Sequence, residues 1–432
     1  MAELKREELA VQQERLMLVR VLLPDEPADS RDPLGELRAL ARTAGAKVVD
    51  EIVAKRPKPH PGLYVGTGKA RQIAERCEQN EIDCIIFDND LSPGQIRELE
   101  EITNCKVLDR SELILDIFAT HARTRQSRLQ VELAQLEYTF PRLTGMWSHL
   151  DRHGGGVGTR GPGETQIETD RRLVQKRIGA LKEKLGQIDR RKLREVHKRD
   201  DVFCVCFVGY TNTGKSTLMN LLTGAGTYVA DQLFATLETK TRRWRVGPGQ
   251  TVLLSDTVGF VRNLPHHLIA SFRATLEEAI WADLLIHVAD ASDPQIKEEI
   301  ESVDRVLDEL GCDRNRELLV LNKIDRINDP TVLTVLQNRF PKALFLSAAT
   351  GRGADSLTEA VLERARGLPV RVQLEANYRN GKLMHYLARH AQVENESYND
   401  SVACIQAVIS TRKLDLLRSF GKDVVILHQT AT

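Results

Sequence analysis

The run Phe203 to Val208 is apolar and strand-forming, and it leads without interruption into Gly209-Tyr210-Thr211-Asn212-Thr213-Gly214-Lys215-Ser216, a complete G-x-x-x-x-G-K-S. Helix-forming residues follow from Thr217 to Leu222. A glycine-rich loop between strand and helix presents main-chain N–H groups at a helix N-terminus, where a phosphate anion is held by hydrogen bonds and by the helix dipole. In that setting Lys215 reaches the β and γ oxygens and the Ser216 hydroxyl ligates Mg2+. Cys204 and Cys206 fall on one side of the strand, where two small core residues are expected rather than ligands.

Three further segments follow in the order a nucleotide switch requires. Leu253-Leu254-Ser255-Asp256-Thr257-Val258-Gly259 ends a strand with an Asp able to hold Mg2+ through water and a Gly whose N–H can meet a γ-phosphate. Leu318 to Leu321 leads into Asn322-Lys323-Ile324-Asp325, where a carboxylate can accept paired hydrogen bonds from guanine N1 and N2, a pairing adenine cannot make. Leu344 to Leu346 then delivers Ser347-Ala348, whose backbone can reach guanine O6. These segments define a G domain over residues 201–370.

With 432 residues, the chain is too long for one ordinary domain. Residues 1–120 alternate short Val/Ile/Leu-rich runs (Leu16 to Leu23, Ala46 to Val53, Cys84 to Phe87, Cys105 to Leu108) with helical patterns at Leu34/Leu37/Leu40, Ile73/Cys77 and Ile96/Leu99/Ile102. This is βαβ logic and predicts an α/β domain with a mainly parallel sheet. Ser92-Pro93 reads as N-cap and N1 of one helix, and Ser111-Glu112 as the start of another. Gly66-Thr67-Gly68-Lys69 resembles the end of a phosphate loop, but Leu63 stands where its first Gly belongs and Ala70 where Ser or Thr would hold magnesium, so a Gly-rich turn opening a helix is the expectation.

Residues 121–200 form a basic segment of net charge +8 in a chain whose Lys plus Arg and Asp plus Glu are both 61. Leu129, Leu133, Leu136 and Phe140, and then Val174, Ile178, Leu181, Leu185 and Ile188, keep a/d spacing and predict an antiparallel helical hairpin. Between them Pro141 to Asp170 is polar and Gly-rich, a connection too long to be incidental. Its Trp147, His149, Arg152, His153 and Arg160 are of the types that stack on bases and pair with phosphate. His149, Asp151 and His153 alternate as metal ligands can, but no partner ligands follow. Residues 371–432 alternate helix (Gly381 to His390, Thr411 to Phe420) and strand (Ala403 to Ile409, Val424 to Leu427), a small α+β unit.

Zero formal net charge excludes a uniformly basic nucleic-acid coat, so any such surface is local. Seven Cys without a C-x-x-C pair do not make a disulfide framework and fit a reducing compartment. No apolar run approaches the ~18 residues of a membrane span, and the first ten residues lack the apolar core of a signal peptide, so a cytoplasmic protein is expected.

The stretches GLYVGTGKA, LSPGQIRELE, FATHARTR, RLTGMWSHLDRHGGGVGTRGPGETQIETDRR, VGYTNTGKST, QLFATLET, DTVGF and NKID, spread over residues 12–366, resemble the HflX family of ribosome-associated GTPases. The resemblance implies an N-terminal α/β domain, a helical hairpin, a P-loop G domain that hydrolyses GTP to GDP and phosphate, and binding to the large ribosomal subunit and 70S ribosome through rRNA. It also implies a part in separating ribosomal subunits under stress, and a monomer when free. On this basis Lys215, Thr236 and Gly259 are the candidate catalytic residues, and Ser216, Thr236 and Asp256 the magnesium ligands. The nucleotide is expected to touch residues 209–217 including Thr217, Phe234-Ala235-Thr236-Leu237-Glu238, Asp256-Thr257-Val258-Gly259, Asn322, Lys323, Asp325 and Ser347-Ala348-Ala349. Ala349 departs from the Lys that related GTPases often carry there. The RNA-reaching residues are Trp147, Arg152, His153, Gly154, Gly155, Gly156 and Arg160. After Gly259 many GTPases place a Gln that orients the attacking water, whereas Phe260 cannot, so slow intrinsic turnover stimulated by ribosomes is expected. Two other readings remain open: an assembly or hibernation factor that uses GTP as a timer, and an RNA-binding scaffold with GTP as a structural ligand.

Overall fold

The computed structural model describes residues 14–24, 32–142, 162–197, 202–224, 233–234, 239–248, 250–262, 278–367, 369–377, 379–399, 402–410, 417, 420 and 424–431. Two compact units emerge, Met1–Arg242 with Leu253–Gly351, and Arg243–Val252 with Arg352–Thr432.

In the first unit, β1 (Arg15–Leu22), β2 (Lys47–Lys55), β3 (Cys84–Phe87) and β4 (Lys106–Asp109) pair in parallel in the order β2-β1-β3-β4. The chain direction is kept by crossover helices α1 (Gly35–Thr43), α2 (Thr67–Gln79) and α3 (Pro93–Thr103), with α4 (Arg110–His121) following the last strand. Every residue from Leu16 to Val21 is buried, because helices cover both faces of the sheet. Strand periodicity then sorts the side chains: Leu16 and Leu18 join a core with Leu37, Leu40, Ile114 and Phe118, while Met17, Val19 and Val21 join the opposite one with Ile73, Cys77 and Leu99.

Helix boundaries follow local chemistry. Ser92 caps α3 in a full capping box with Gln95, and Pro93 occupies the first turn as expected. The expected start of α4 at Ser111 is corrected to an N-cap at Asp109, whose carboxylate accepts the Glu112 N–H at 2.9 Å. Ser111 instead donates its hydroxyl to Asp90.

The basic segment contains α5 (Arg125–Thr139), capped by Thr124, and the 36-residue α6 (Pro162–His197). Leu133, Leu181 and Leu185 are buried between them, flanked by Leu129, Leu136 and Ile178. Arg177 pairs with Glu132 at 2.6 Å, and Arg171 lies over the Phe140 ring. The irregular connection expected up to Asp170 ends instead before Pro162, since a proline costs nothing at a first helical turn, where its missing N–H would have had no partner. Trp147, His149, Asp151, Arg152, His153, Gly154, Gly155, Gly156 and Arg160 lie outside the described residues.

The second sheet has the order β10-β9-β8-β5-β7-β6, formed by β5 (Cys204–Val208), β6 (Lys240–Gly247), β7 (Gln250–Asp256), β8 (Leu284–Asp290), β9 (Glu317–Asn322) and β10 (Leu344–Phe345). From β10 to β7 the pairings are parallel, and α7 (Lys215–Thr223) follows the phosphate loop. Helices α8 (Ile296–Glu309) and α9 (Pro330–Arg339) are the crossovers on either side of β9. None of the seven cysteines is in a disulfide, and burial pushes the Cys206 thiol well above its ordinary value.

The second unit holds α10 (Ala354–Arg366), β11 (Pro369–Asn377), α11 (Gly381–His390), β12 (Ala391–Asn399), β13 (Val402–Ser410) and β14 (Val425–Ala431), with an antiparallel sheet in the order β12-β13-β11-β14. Its core joins Val370, Val372 and Leu374 to Leu383, Leu387, Ile405 and Ile409. The expected helix over 411–420 lies almost wholly outside the described residues.

Ser92→Ala removes the acceptor for the Gln95 N–H and leaves only the reciprocal half of the box, the bond from the residue 92 N–H to Gln95 Oε1. Stability against urea is expected to fall by about 1 kcal/mol. An unchanged midpoint would show that the cap contributes nothing to the N-terminal sheet.

Candidate functional site

The phosphate loop hangs from the end of β5, a central strand of its sheet. Its first residue, Gly209, has φ 145°, and a Cβ there would drive into the Val288 carbonyl of β8, so only glycine lets the loop leave the sheet at this angle. Lys215 opens α7 and folds back under the loop, its Nζ donating to the carbonyls of Gly209 (3.0 Å) and Tyr210 (2.6 Å). Burial lowers its pKa to about 8, with the charges of Asp256 and Glu299 opposing. Ser216 Oγ donates to Asp256 Oδ2 at 2.7 Å, while Asp256 Oδ1 and Thr211 Oγ1 are buried without a partner. Burial raises the Asp256 pKa against the pull of Lys215 and Ser216. Two hard oxygen donors side by side, one carboxylate oxygen buried and unsatisfied, fit a small divalent cation.

The residues expected to read the base converge on the same loop. Asn322, 1% exposed, donates from Nδ2 to the Thr213 carbonyl (2.8 Å) and accepts the Ala348 N–H at Oδ1 (2.9 Å). Lys323 arches over to the Asn212 carbonyl and to Asp290, each at 2.7 Å. Asp325 is exposed and accepts the Ser347 hydroxyl, which in turn accepts the Thr350 N–H at 3.2 Å. Ala349 is exposed beside them. Thr257 is buried and bonded to the Phe207 carbonyl, and Val258 is buried. The structure thus brings together residues 209–217, 256–259, Asn322, Lys323, Asp325 and 347–349. Ala235, Thr236, Leu237 and Glu238 lie outside the described residues, and Phe234 is buried edge-on to Phe118, ring centroids 4.6 Å apart.

Sequence reasoning missed Glu36, Arg110 and Glu299, all of which stand beside this loop. Glu299 is 8% exposed, with Oε2 unpartnered, and burial pushes its carboxyl up to about 8, reinforced by Asp293, Asp290 and Glu36. The turn at Gly66–Lys69 lines a separate cavity of about 530 Å³ with Lys55, Arg56 and His60. Arg56 already spends one guanidinium nitrogen on the Val65 carbonyl at 2.7 Å, and the turn opens α2 as expected.

The chain is 42% identical over 405 residues to GTPase HflX of Lacrimispora saccharolytica, covering 93% of this chain and 95% of that one. The chain belongs to the HflX family. A second relative, GTPase HflX of Escherichia coli, is 43% identical over 387 residues, 89% of this chain and 90% of its own. Residues 31–119, 121–199 and 204–323 match, in turn, families described as GTP-binding GTPase N-terminal, GTP-binding GTPase middle region and 50S ribosome-binding GTPase. Among solved structures, a GTP-binding protein of Sulfolobus solfataricus in complex with GDP aligns at 24% identity and a TM-score of 0.44, over 82% of this chain and 99% of that one. This HflX-family chain is a guanine-nucleotide-binding, GTP-hydrolysing enzyme. Among the described residues no helix is long and apolar enough to cross a membrane.

The Lys215 pKa gives binding a proton signature. At pH 8.5 the free side chain, with a pKa of about 8, is mostly neutral, and phosphate oxygens at its Nζ raise that pKa. GDP binding is therefore expected to take up protons at pH 8.5, and this uptake shrinks towards pH 7, where Lys215 is already charged. Calorimetry in buffers of different ionisation enthalpy measures it, and an uptake that stayed constant across this range would remove Lys215 as its source.

Proposed function

We propose that this chain is a ribosome-directed GTPase switch, which binds the large subunit in its GTP form through the basic hairpin and remodels or splits ribosomes. The observation that supports a guanine switch most strongly is Asn322, whose single side chain ties the phosphate loop to the base loop. In this reading the main chain of residues 209–217 and the Lys215 ammonium hold the phosphates. Asp325 reads guanine N1 and N2, and the backbone of Ser347–Ala349 reads O6. Ser216, Thr236 and water on Asp256 would hold Mg2+, which neutralises phosphate charge when bound. The Gly259 N–H faces the γ-phosphate.

Hydrolysis needs a water in line with the γ-phosphate, and no side chain at position 260 can orient it. The Phe260 ring is 2% exposed, inside the core, so slow turnover of the free protein and acceleration by ribosomes follow from this reading. The +8 segment supplies phosphate affinity, and the family description over 204–323 and the basic α5–α6 pair support the ribosomal large subunit as its target. Binding through phosphates releases counterions and weakens as salt rises.

Two experiments test the two halves. Asp325→Asn should shift preference from GTP towards XTP, since a site built on paired hydrogen bonds rejects a base unable to make them by several kcal/mol. Unchanged selectivity would take Asp325 out of that role. Replacing residues 145–163 by a short Gly-Ser linker should leave GDP affinity within about twofold, a change below ~0.5 kcal/mol, while reducing co-sedimentation with large subunits. Normal co-sedimentation of the truncated protein would make the hairpin structural only.

A further inference from the structure

Away from the nucleotide loops, an imidazole and two carboxylates meet between α8 and the strands β8 and β9. His287, in the middle of β8, is 1% exposed and shares a strand face with Leu285, which packs with Val303 and Leu307 of α8. A polar ring thus interrupts an apolar face. Its Nδ1 shares a hydrogen bond of 2.8 Å with Oε1 of Glu317, the first residue of β9, and Asp304 of α8 brings its Oδ1 to 3.6 Å from the same nitrogen. These three atoms all lie within 4.8 Å of one another, and among the described residues no other three His, Cys, Asp or Glu side chains meet in this way.

A positive charge already stands beside them. Arg314, in the turn between α8 and β9, places Nη2 2.5 Å from Asp304 Oδ1 and 3.1 Å from Glu317 Oε2, and its Nε lies 3.9 Å from Asp308. One guanidinium therefore faces three carboxylates. It fits them poorly: the approach to Asp304 lacks hydrogen-bond geometry, so that Asp304 Oδ1 and Arg314 Nη1 are both buried without a hydrogen-bond partner among the described residues. A guanidinium bonds best as a planar fork against one carboxylate, whereas here oxygens from two elements and a ring nitrogen converge on one point. The Asp304 and Arg314 side chains are about a third exposed, which leaves a small ion a way in from solvent.

We propose that His287 Nδ1, Asp304 Oδ1 and Glu317 Oε1 form a site for a divalent transition cation of the Zn2+ class, completed by water, and that Arg314 is the charge this cation displaces. Bonds of about 2.0–2.2 Å set neighbouring ligand atoms about 3.0–3.5 Å apart, so the His287–Glu317 pair has to open by about half an ångström. The nitrogen ligand selects the class, because Mg2+ and Ca2+ take oxygen alone while imidazole suits Zn2+ and its neighbours. A bound cation ties α8 to β8 and β9, and none of its ligands belongs to the residues expected to touch the nucleotide.

The experiment titrates full-length protein, held in saturating GDP and Mg2+, with Co2+ and then with Zn2+. Co2+ should bind with visible absorption that Zn2+ removes by competition, and Zn2+ should slow amide exchange along Val303 to Leu307. Asp304→Asn and His287→Asn should each weaken Co2+ binding at least about tenfold, with GDP affinity within about twofold of wild type. Arg314→Ala should tighten it about fivefold, the equivalent of one partly exposed ion pair that no longer has to be broken. His287 is buried, so where its variant fails to fold the partly exposed Asp304→Asn decides. Absence of Co2+ absorption in both wild type and Arg314→Ala would overturn the assignment and leave the cluster an ion-pair network; absorption indifferent to Asp304→Asn would overturn it by placing the cation elsewhere.

Discussion

The buried amide of Asn322 joins two loops 109 and 26 positions away in sequence, by way of the Thr213 carbonyl and the Ala348 N–H. A side-chain amide with both ends satisfied inside a protein is costly to rearrange, because moving either loop alone would leave a buried donor or acceptor unpaired, at roughly 1–3 kcal/mol for each group. The phosphate loop and the base loop therefore behave as one body. Parallel pairing of β5, β8 and β9 supports that body from below and delivers Gly209, Asp290 and Asn322 to the same edge of the sheet. In the proposed reading, a base that fits Asp325 and Ser347 would be presented with its phosphates already in register with Lys215 and Ser216.

Against this rigid body stands a segment with two sets of contacts. Residues 259–262 bond upstream to the phosphate loop and downstream to Glu36, Tyr210 and Arg110. Phe260, the residue after Gly259, is a buried apolar ring.

Much of this was legible in the sequence because the chemistry is local. Phosphate binding requires eight consecutive residues, and base reading requires four and two more, so their spelling survives at any distance from one another. Strands β1 and β3 declare themselves as short apolar runs since both of their faces are covered. What local reading missed depends on contacts across the chain or on balanced alternatives. Glu36 stands 174 positions from Tyr210, and no periodicity marks it. Strand β12 is an edge strand of polar composition, AQVENESYN, without the alternation that a half-buried strand would show, whereas β11 does alternate, with Val370, Val372, Leu374 and Ala376 all buried, and could have been read. At the start of α4, Asp109 and Ser111 are both good caps, and only the fold shows that Ser111 is already committed to Asp90. Pro162 sits in a stretch whose glycines read as loop, yet proline is as much a helix opener as a breaker.

The central claim is that the loops joined by Asn322 form one guanine-specific site for a nucleotide's base and phosphates. Displacement of a fluorescent GDP analogue from the full-length protein by unlabelled nucleotides tests it directly. GTP and GDP should displace the probe at micromolar concentrations while ATP in hundredfold excess leaves it bound, a gap of at least about 2.7 kcal/mol. Displacement by ATP at concentrations similar to GTP would contradict the account, since it would mean that the phosphates are held without the base being read.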